Sequence, residues 1–511
     1  MKLIPKRHTG LPLAIASSLV LTLSGCANFT GIQSSAQLRS LPSQTTEVNS
    51  PSAYWQDANW AQQIGGKDLQ NLIDTAIADN PGLQVAAARI ASAKALIEAT
   101  GANDKVNVNA SLDSTYQRFT EHGMIPPPLA GSTKSNNQIA LNVGYELDFW
   151  GKHSAEMRSA ISQEKVALAE QQSARLMLST AIAHAWVQLA RQYEQLELST
   201  RQLAVRNKLD ELTKQRVKAG LDTSTEIQQS LIQSSTLQAE INQWQEAIVL
   251  SRNQLAALSG QPPELGQLIA KPVLQASNNQ TLPEQLPLAL LGRRPDVVAA
   301  RWRVEAIQGE IDVAKTQFYP NINLIGFAGL SSLGVSNLFQ SGSTIIGAGP
   351  AIRLPIFEGG RLRAQLKGKV ASYDAAVATY NQSLTDALRE VADQVQSLKT
   401  TDAQDKNQRI ADTAAARTID LARQRQRAGT ANMLPVFAAE NARISQQKLL
   451  LDIQIRRTDL QINLIKALGG GYDLPAAIQV PANPQASHLL RTQSELPTQS
   501  LTQLLIKAEA A

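Results

Sequence analysis

In the stretch "NNQIALNVGYELDFW", apolar side chains occupy every second position. Ile139, Leu141, Val143, Tyr145, Leu147 and Phe149 alternate with Ala140, Asn142, Gly144, Glu146 and Asp148. A period of two predicts a strand with one apolar and one mostly polar face, placed at about 136–150. Its partner, at about 105–119, sets Val106, Val108, Ala110 and Leu112 against Asn107, Asn109, Ser111 and Asp113. The stretch "EHGMIPPPLAGSTKS" between them is a Pro/Gly loop. A second pair is predicted at about 319–330 and 344–357, around "SSLGVSNLFQSGS". Its alternation is weaker, because Ile325 and Phe327 fall on the polar side.

Elsewhere the spacing is helical and long. No proline interrupts Gly151 to Ala219 or Gly359 to Ala428. In the first stretch Ile161, Leu168, Ile182, Leu189, Leu196 and Leu203 follow a seven-residue spacing, with Arg175 the exception. Val370, Val377, Leu384, Val391 and Leu398 do the same in the second. A strict seven-residue repeat predicts coiled-coil-like contact, and at 1.5 Å per residue each helix reaches roughly 100 Å. Shorter helices are predicted after each Ala-Gly break, at about 223–259 and 432–468, and before each strand pair, at about 68–100 and 295–318. Two short helices match one long helix in length, so they can stack end to end beside it.

The chain is two copies of one unit. Arg216, Ala219 and Gly220 map onto Arg425, Ala428 and Gly429 at an offset of 209 residues. The same offset carries Leu255 onto Leu464 and Gly260 onto Gly469. The predicted layout is a leader at 1–25, a linker at 26–54, a first repeat at 55–263, a linker at 264–292, a second repeat at 293–472 and a polar tail at 473–511. Each copy supplies two strands, giving four per chain. Four strands cannot close a membrane barrel, and an open edge is forbidden in lipid. Closure therefore requires several copies of the chain, giving eight, twelve or more strands.

The N-terminus carries Lys2, Lys6 and Arg7, then an apolar run from about Leu11 to Leu23, then Leu-Ser-Gly-Cys. The run is too short to span a bilayer and fits a secretory signal. Leu-Ser-Gly-Cys resembles the lipobox of bacterial lipoproteins. The resemblance implies diacylglycerol on Cys26, the one cysteine of the chain, and, with Ala27 following it, sorting to the outer membrane. The formal charge of +5 shrinks once the first 25 residues are set aside, leaving 45 basic against 43 acidic residues. No Lys/Arg block or basic patch interleaved with aromatics is present, which argues against nucleic-acid binding.

The two-copy plan, with "LDFWG" at 147–151, "RRPDV" at 293–297, "LPIFEGGRL" at 354–362 and "KALGGGY" at 466–472, resembles the outer-membrane factor family, the TolC-like channel-tunnels, in its lipoprotein branch. The resemblance implies an α+β membrane protein: a homotrimer whose twelve strands form one β-barrel, continued by a long α-helical coiled-coil tunnel in the periplasm. It also implies a periplasmic adaptor protein, an inner-membrane efflux pump and outer-membrane lipid as partners. The expected role is passage of drugs or other toxic small molecules. An exit duct for a secreted peptide or metabolite, a non-channel coiled-coil structural lipoprotein, and a lipid-anchored enzyme are competing readings. The alternating strand at 139–149 disfavours the spacer, which has no need of it.

By the same resemblance, Arg216, Ala219, Gly220 and Leu221 at one break, and Arg425, Ala428, Gly429 and Thr430 at the other, form adaptor-contact helix tips. The glycines also serve as left-handed helix caps. Arg216, Lys218, Arg425 and Arg427 favour the helix dipole whatever the partner. The family often closes its entrance with acidic rings just past the second tip, where this chain has Pro435 and Ala438. Asp222 and Glu226, or Glu440, are the expected substitutes, with Asp222 lining the constriction. The five histidines are scattered without metal-ligand spacing, His184 reads as a helix-contact residue, and no catalytic, phosphate-binding or dinucleotide motif occurs. No enzyme activity, cofactor or metal is expected.

Overall fold

A computed structural model describes residues 29–39, 59–275 and 292–470. The leader, Cys26, part of the 264–292 linker and the polar tail lie outside the described residues. The elements are α1 (Trp60–Asp79, broken at Gly66), α2 (Pro81–Ala102), β1 (Asn107–Arg118), β2 (Thr133–Leu147), α3 (Lys152–Lys218), α4 (Ser224–Leu258), a single turn α5 (Pro263–Gly266), α6 (Pro295–Thr316), β3 (Asn321–Leu333), β4 (Thr344–Arg353), α7 (Arg361–Arg427) and α8 (Leu434–Ala467). No helix of the described residues is long and apolar enough to cross a membrane.

The four strands make one antiparallel sheet in the order β1-β2-β3-β4. Its register keeps the faces separate. Val108, Val143, Gly326 and Ala348 stack on one side, and Asn109, Asn142, Phe327 and Gly347 on the other. β2 begins and ends three residues earlier than its alternation suggests. Thr133 to Ser135 pair with Arg118 to Tyr116, and the strand stops because Asp148 turns away to accept from the amides of Lys152 and Ser154 at the start of α3. Trp150 then stacks on Tyr319 at 4.7 Å and donates Nε1–H to the Pro320 carbonyl, tying the exit of β2 to the entrance of β3. These contacts are what "LDFWG" encodes. β3 likewise runs on to Leu333, which pairs with Asn136.

α3 and α7 are each 67 residues long, and both run the length of the molecule. At the sheet end α2 lies beside α3, and α6 fills the gap between α3 and α7. At the far end α4 takes the place of α2, and α8 that of α6. The short helices meet end to end at sealed junctions. Asn80 caps α2 by accepting from the Gly82 amide, and its Nδ2 donates to the Leu258 carbonyl that ends α4. In the second repeat Arg294, which precedes α6, donates Nη1–H to the Ala467 carbonyl that ends α8. Two chemically different residues thus close the same junction in the two copies.

Seven-residue periodicity holds, but its most buried row is not the large-residue row. Ala155, Ser162, Ala169, Leu176, Ala183 and Ala190 are all buried, whereas in the predicted row Ile182 and Leu189 are fully buried, Ile161 is exposed and Leu168, Leu196 and Leu203 are half-buried. Small side chains occupy this seam because α3 is flanked on both sides and neighbouring backbones come close. In α7 the large row at Val377, Leu384, Val391 and Leu398 is itself buried. Polar bridges join α3 to α8. His184 is a bridging residue as much as a contact residue, since its ring nitrogens meet Asp459 at 2.8 Å and Asn463 at 3.1 Å.

Candidate functional site

Both long helices end in the same backbone device. The Leu221 amide donates to the Arg216 carbonyl at 2.9 Å and the Gly220 amide to Val217 at 3.0 Å. Thr430 donates to Arg425 and Gly429 to Gln426, both at 3.0 Å. This paired bonding satisfies carbonyls a helix end leaves orphaned, and it needs a left-handed residue after the last helical turn. Gly220 and Gly429 supply it, at φ 72° and 73°. A Cβ at either glycine meets no atom within 4 Å. Conformation alone, not crowding, selects glycine here. Ala219, Gly220 and Leu221, like Ala428, Gly429 and Thr430, stand exposed at the apices, Leu221 at 66%.

The tips share a backbone and differ in charge. Arg216 grips both oxygens of Asp222, Nε at 2.6 Å and Nη2 at 2.9 Å. That bonding holds the Asp222 carboxyl below the usual carboxylate range and raises the Arg216 guanidinium above its own. Glu226 completes a capping box with Thr223 at the start of α4, and the Thr223 hydroxyl is the main reason its carboxyl sits low. Glu440 pairs with Arg423 at 2.7 Å across α7 and α8. Each expected entrance acid therefore has a partner in its own chain. At the second tip Ala431 stands where the first has Asp222, so Arg425 lacks the brace that Arg216 has.

At the opposite end, the sheet presents an apolar face of Val108, Leu112, Leu141, Val143, Leu324 and Ile346, all exposed in one chain. Its height along β2, from Ile139 to Leu147, is about 20 Å for strands tilted near 40°, close to the apolar band of an outer-membrane barrel. Below this band Phe149, Trp150, Ile356 and Phe357 are exposed at the exits of β2 and β4, Phe357 at 90%. Phe149, Trp150 and Phe357 are of the residue type that forms the aromatic girdle of an outer-membrane barrel at the membrane–water boundary. The N-terminal segment lands at the same level. Phe29 meets Phe318 edge-to-face at 5.8 Å, and Ile32 is buried with Ile311, Phe318 and Leu366. From there the segment follows α7, the Arg39 amide donating to Asn381 and the Asn381 amide to the Gln37 carbonyl. Sequence patterning gave no sign of this strap, which is short and lacks periodicity. Among the described residues no cluster of His, Cys, Asp or Glu is placed to hold a metal.

Comparison with known proteins agrees with this geometry. A family model described as "Outer membrane efflux protein" matches residues 72–261 and 286–470, one stretch in each repeat. The multidrug resistance outer membrane protein MdtQ of Escherichia coli O157:H7 is 29% identical over 477 residues, covering 91% of this chain and 99% of the relative. The fusaric acid resistance protein FusA of Burkholderia cepacia is 36% identical over 319 residues, covering 61% of this chain and 60% of the relative. Among solved structures, the outer membrane protein VceC of Vibrio cholerae superposes with a TM-score of 0.74 at 36% identity. That match covers 82% of this chain and all of the other.

Proposed function

Because the chain belongs to the outer membrane efflux protein family, we propose that it is the outer-membrane channel of a tripartite efflux system. Three copies close their four-stranded sheets into one twelve-stranded barrel, and their helices form the tunnel beneath it. A periplasmic adaptor seats on the helix tips, an inner-membrane pump delivers the cargo, and the barrel releases it outside. The carrying observation is continuity: one open sheet, greasy on one face and polar on the other, runs directly into helices of 67 residues that end in matched tips. Relatives named for multidrug and fusaric acid resistance support toxic small organic molecules as cargo.

The lipid anchor belongs to the same reading. Cys26 stands three residues before Phe29 in the sequence, a tether of at most about 11 Å between Cα atoms, short enough for a diacylglycerol on its thiol to reach the bilayer beside the barrel. Acyl chains there enter the inner leaflet next to the barrel, as a second attachment.

Deleting the gene tests the function, with sensitivity profiled over a panel of toxic compounds. Sensitivity is expected to rise, to return to normal with the wild-type gene, and to stay high with Gly220→Val/Gly429→Val. Valine in the left-handed region costs roughly 1–2 kcal/mol per tip and reshapes the docking surface, while the trimer remains in the outer membrane. Full complementation by the double variant would remove the tips from adaptor contact. Asp222 is proposed to line the tunnel entrance as half of its pair with Arg216. Asp222→Ala then frees Arg216, adding one positive charge per chain. Block of single-channel current by a trivalent cation should weaken. Block equal to wild type would place Asp222 away from the entrance.

A further inference from the structure

The polar face of the sheet, which the barrel turns toward its lumen, is uneven. β1 and β2 give it Asn109, Ser111, Asp113, Gln138 and Asn142, but β3 and β4 place Ile325, Phe327 and Ile345 on the same side. Ile325 is 49% exposed and Phe327 40%. Each faces glycine across the register: Phe327 pairs with Gly347, Ile325 with Gly144 and Gly349, and Ile345 with Gly329. The Phe327 ring lies over Gly347, where a Cβ would stand 2.6 Å from the ring. Beside Ile325 the glycines leave room, since a Cβ at Gly144 or Gly349 meets nothing within 4 Å.

An aromatic ring laid over a cross-strand glycine stabilises a sheet, which accounts for Phe327. It does not account for the exposed Ile325 or for the open space on both sides of it. Nor does the strip plug the pore. Twelve tilted strands give a backbone diameter of about 24 Å, and a ring folded against the wall leaves the centre open. Apolar surface facing water costs roughly 25 cal/mol per Å², a cost recovered only when something apolar covers it. Resting on the channel reading, we propose that Phe327, Ile325 and the Gly144–Gly349 niche form a lumenal contact site for the apolar, aromatic part of the cargo, one site per protomer.

The probe is tetraphenylphosphonium, with tetraethylammonium as the non-aromatic control, added to the purified trimer in a planar bilayer. Tetraphenylphosphonium is expected to interrupt the current and tetraethylammonium to leave it unchanged. In Phe327→Ser the interruptions should shorten about fivefold, as befits loss of one aromatic contact, while open-channel conductance stays as in wild type. Phe327→Leu should keep part of the effect. Gly144→Asn, which fills open space with a polar group, should shorten the interruptions too and serves if Phe327→Ser fails to assemble. Interruptions unchanged in Phe327→Ser and Gly144→Asn, or absent from wild type, overturn the proposal. A deletion strain of normal sensitivity whose channel keeps Phe327-dependent interruptions would refute the efflux reading and leave the site standing.

Discussion

Replacing Arg294 with alanine is expected to destabilise the helical tunnel by about 2–3 kcal/mol per chain, because its charge-assisted hydrogen bonds are lost while Asp296 and Glu390, both more than a third exposed, stay partly solvated. Arg294 is 8% exposed and lies at the junction of three helices. Its Nη2 meets Asp296 at 2.7 Å, and its Nη1 meets Glu390 of α7 at 2.8 Å and the Ala467 carbonyl ending α8 at 3.1 Å. Removing it strands two carboxylates and uncaps a helix at once. Burial pushes the Asp296 carboxyl up, but the Arg294 hydrogen bond and charge outweigh burial and hold it below the usual range. A depressed carboxylate stabilises the fold above its unfolded pKa, and that contribution disappears as pH falls through the folded value. The difference between Arg294→Ala and wild type should therefore be full at neutral pH and shrink below about pH 4. Thermal melts of the detergent-solubilised protein followed at 222 nm test both statements. Arg294→Lys should recover little, because a single ammonium cannot serve three acceptors in that geometry.

The second large effect separates neighbouring residues. Leu141→Arg puts a charge into the bilayer at a position 56% exposed on the apolar face, between Ala110 and Ala328. The cost is about 2–4 kcal/mol per chain near the midplane, borne three times in a trimer. Loss of the protein from the outer-membrane fraction is expected. Asn142→Arg, one residue along, faces the water-filled side, where Asn142 only donates to the Ser111 hydroxyl. It should assemble normally and alter ion selectivity. Equal assembly of the two variants would mean that the faces are wrongly assigned.

Features that repeat within the chain were legible in its sequence. Alternation in 139–149 revealed the sheet face, and the doubled Arg-x-x-Ala-Gly revealed the tips. Features set by contact between distant segments were not. The seam through Ala155, Ala169 and Ala183 is invisible to a search for large apolar residues, because its buried side chains are small. Asp148 ends β2 early by capping α3, an event that no period-two pattern contains. Asn80 and Arg294 perform one task in the two repeats without resembling each other. The acids expected at the entrance illustrate the limit most clearly. Asp222, Glu226 and Glu440 look alike as carboxylates near a tip, yet one braces a hairpin, one caps a helix and one joins two helices. The irregularity at Ile325 and Phe327, by contrast, was plain in the sequence and became meaningful only when the register set glycines across from both.

The central claim is that the two free edges of this four-stranded sheet, β1 and β4, are closed by further copies of the same chain. Native mass spectrometry of the complex extracted from outer membranes in detergent tests it most directly. The account predicts a complex of three chains, which supplies twelve strands. A folded, membrane-derived monomer, or a dimer with only eight strands, would contradict it.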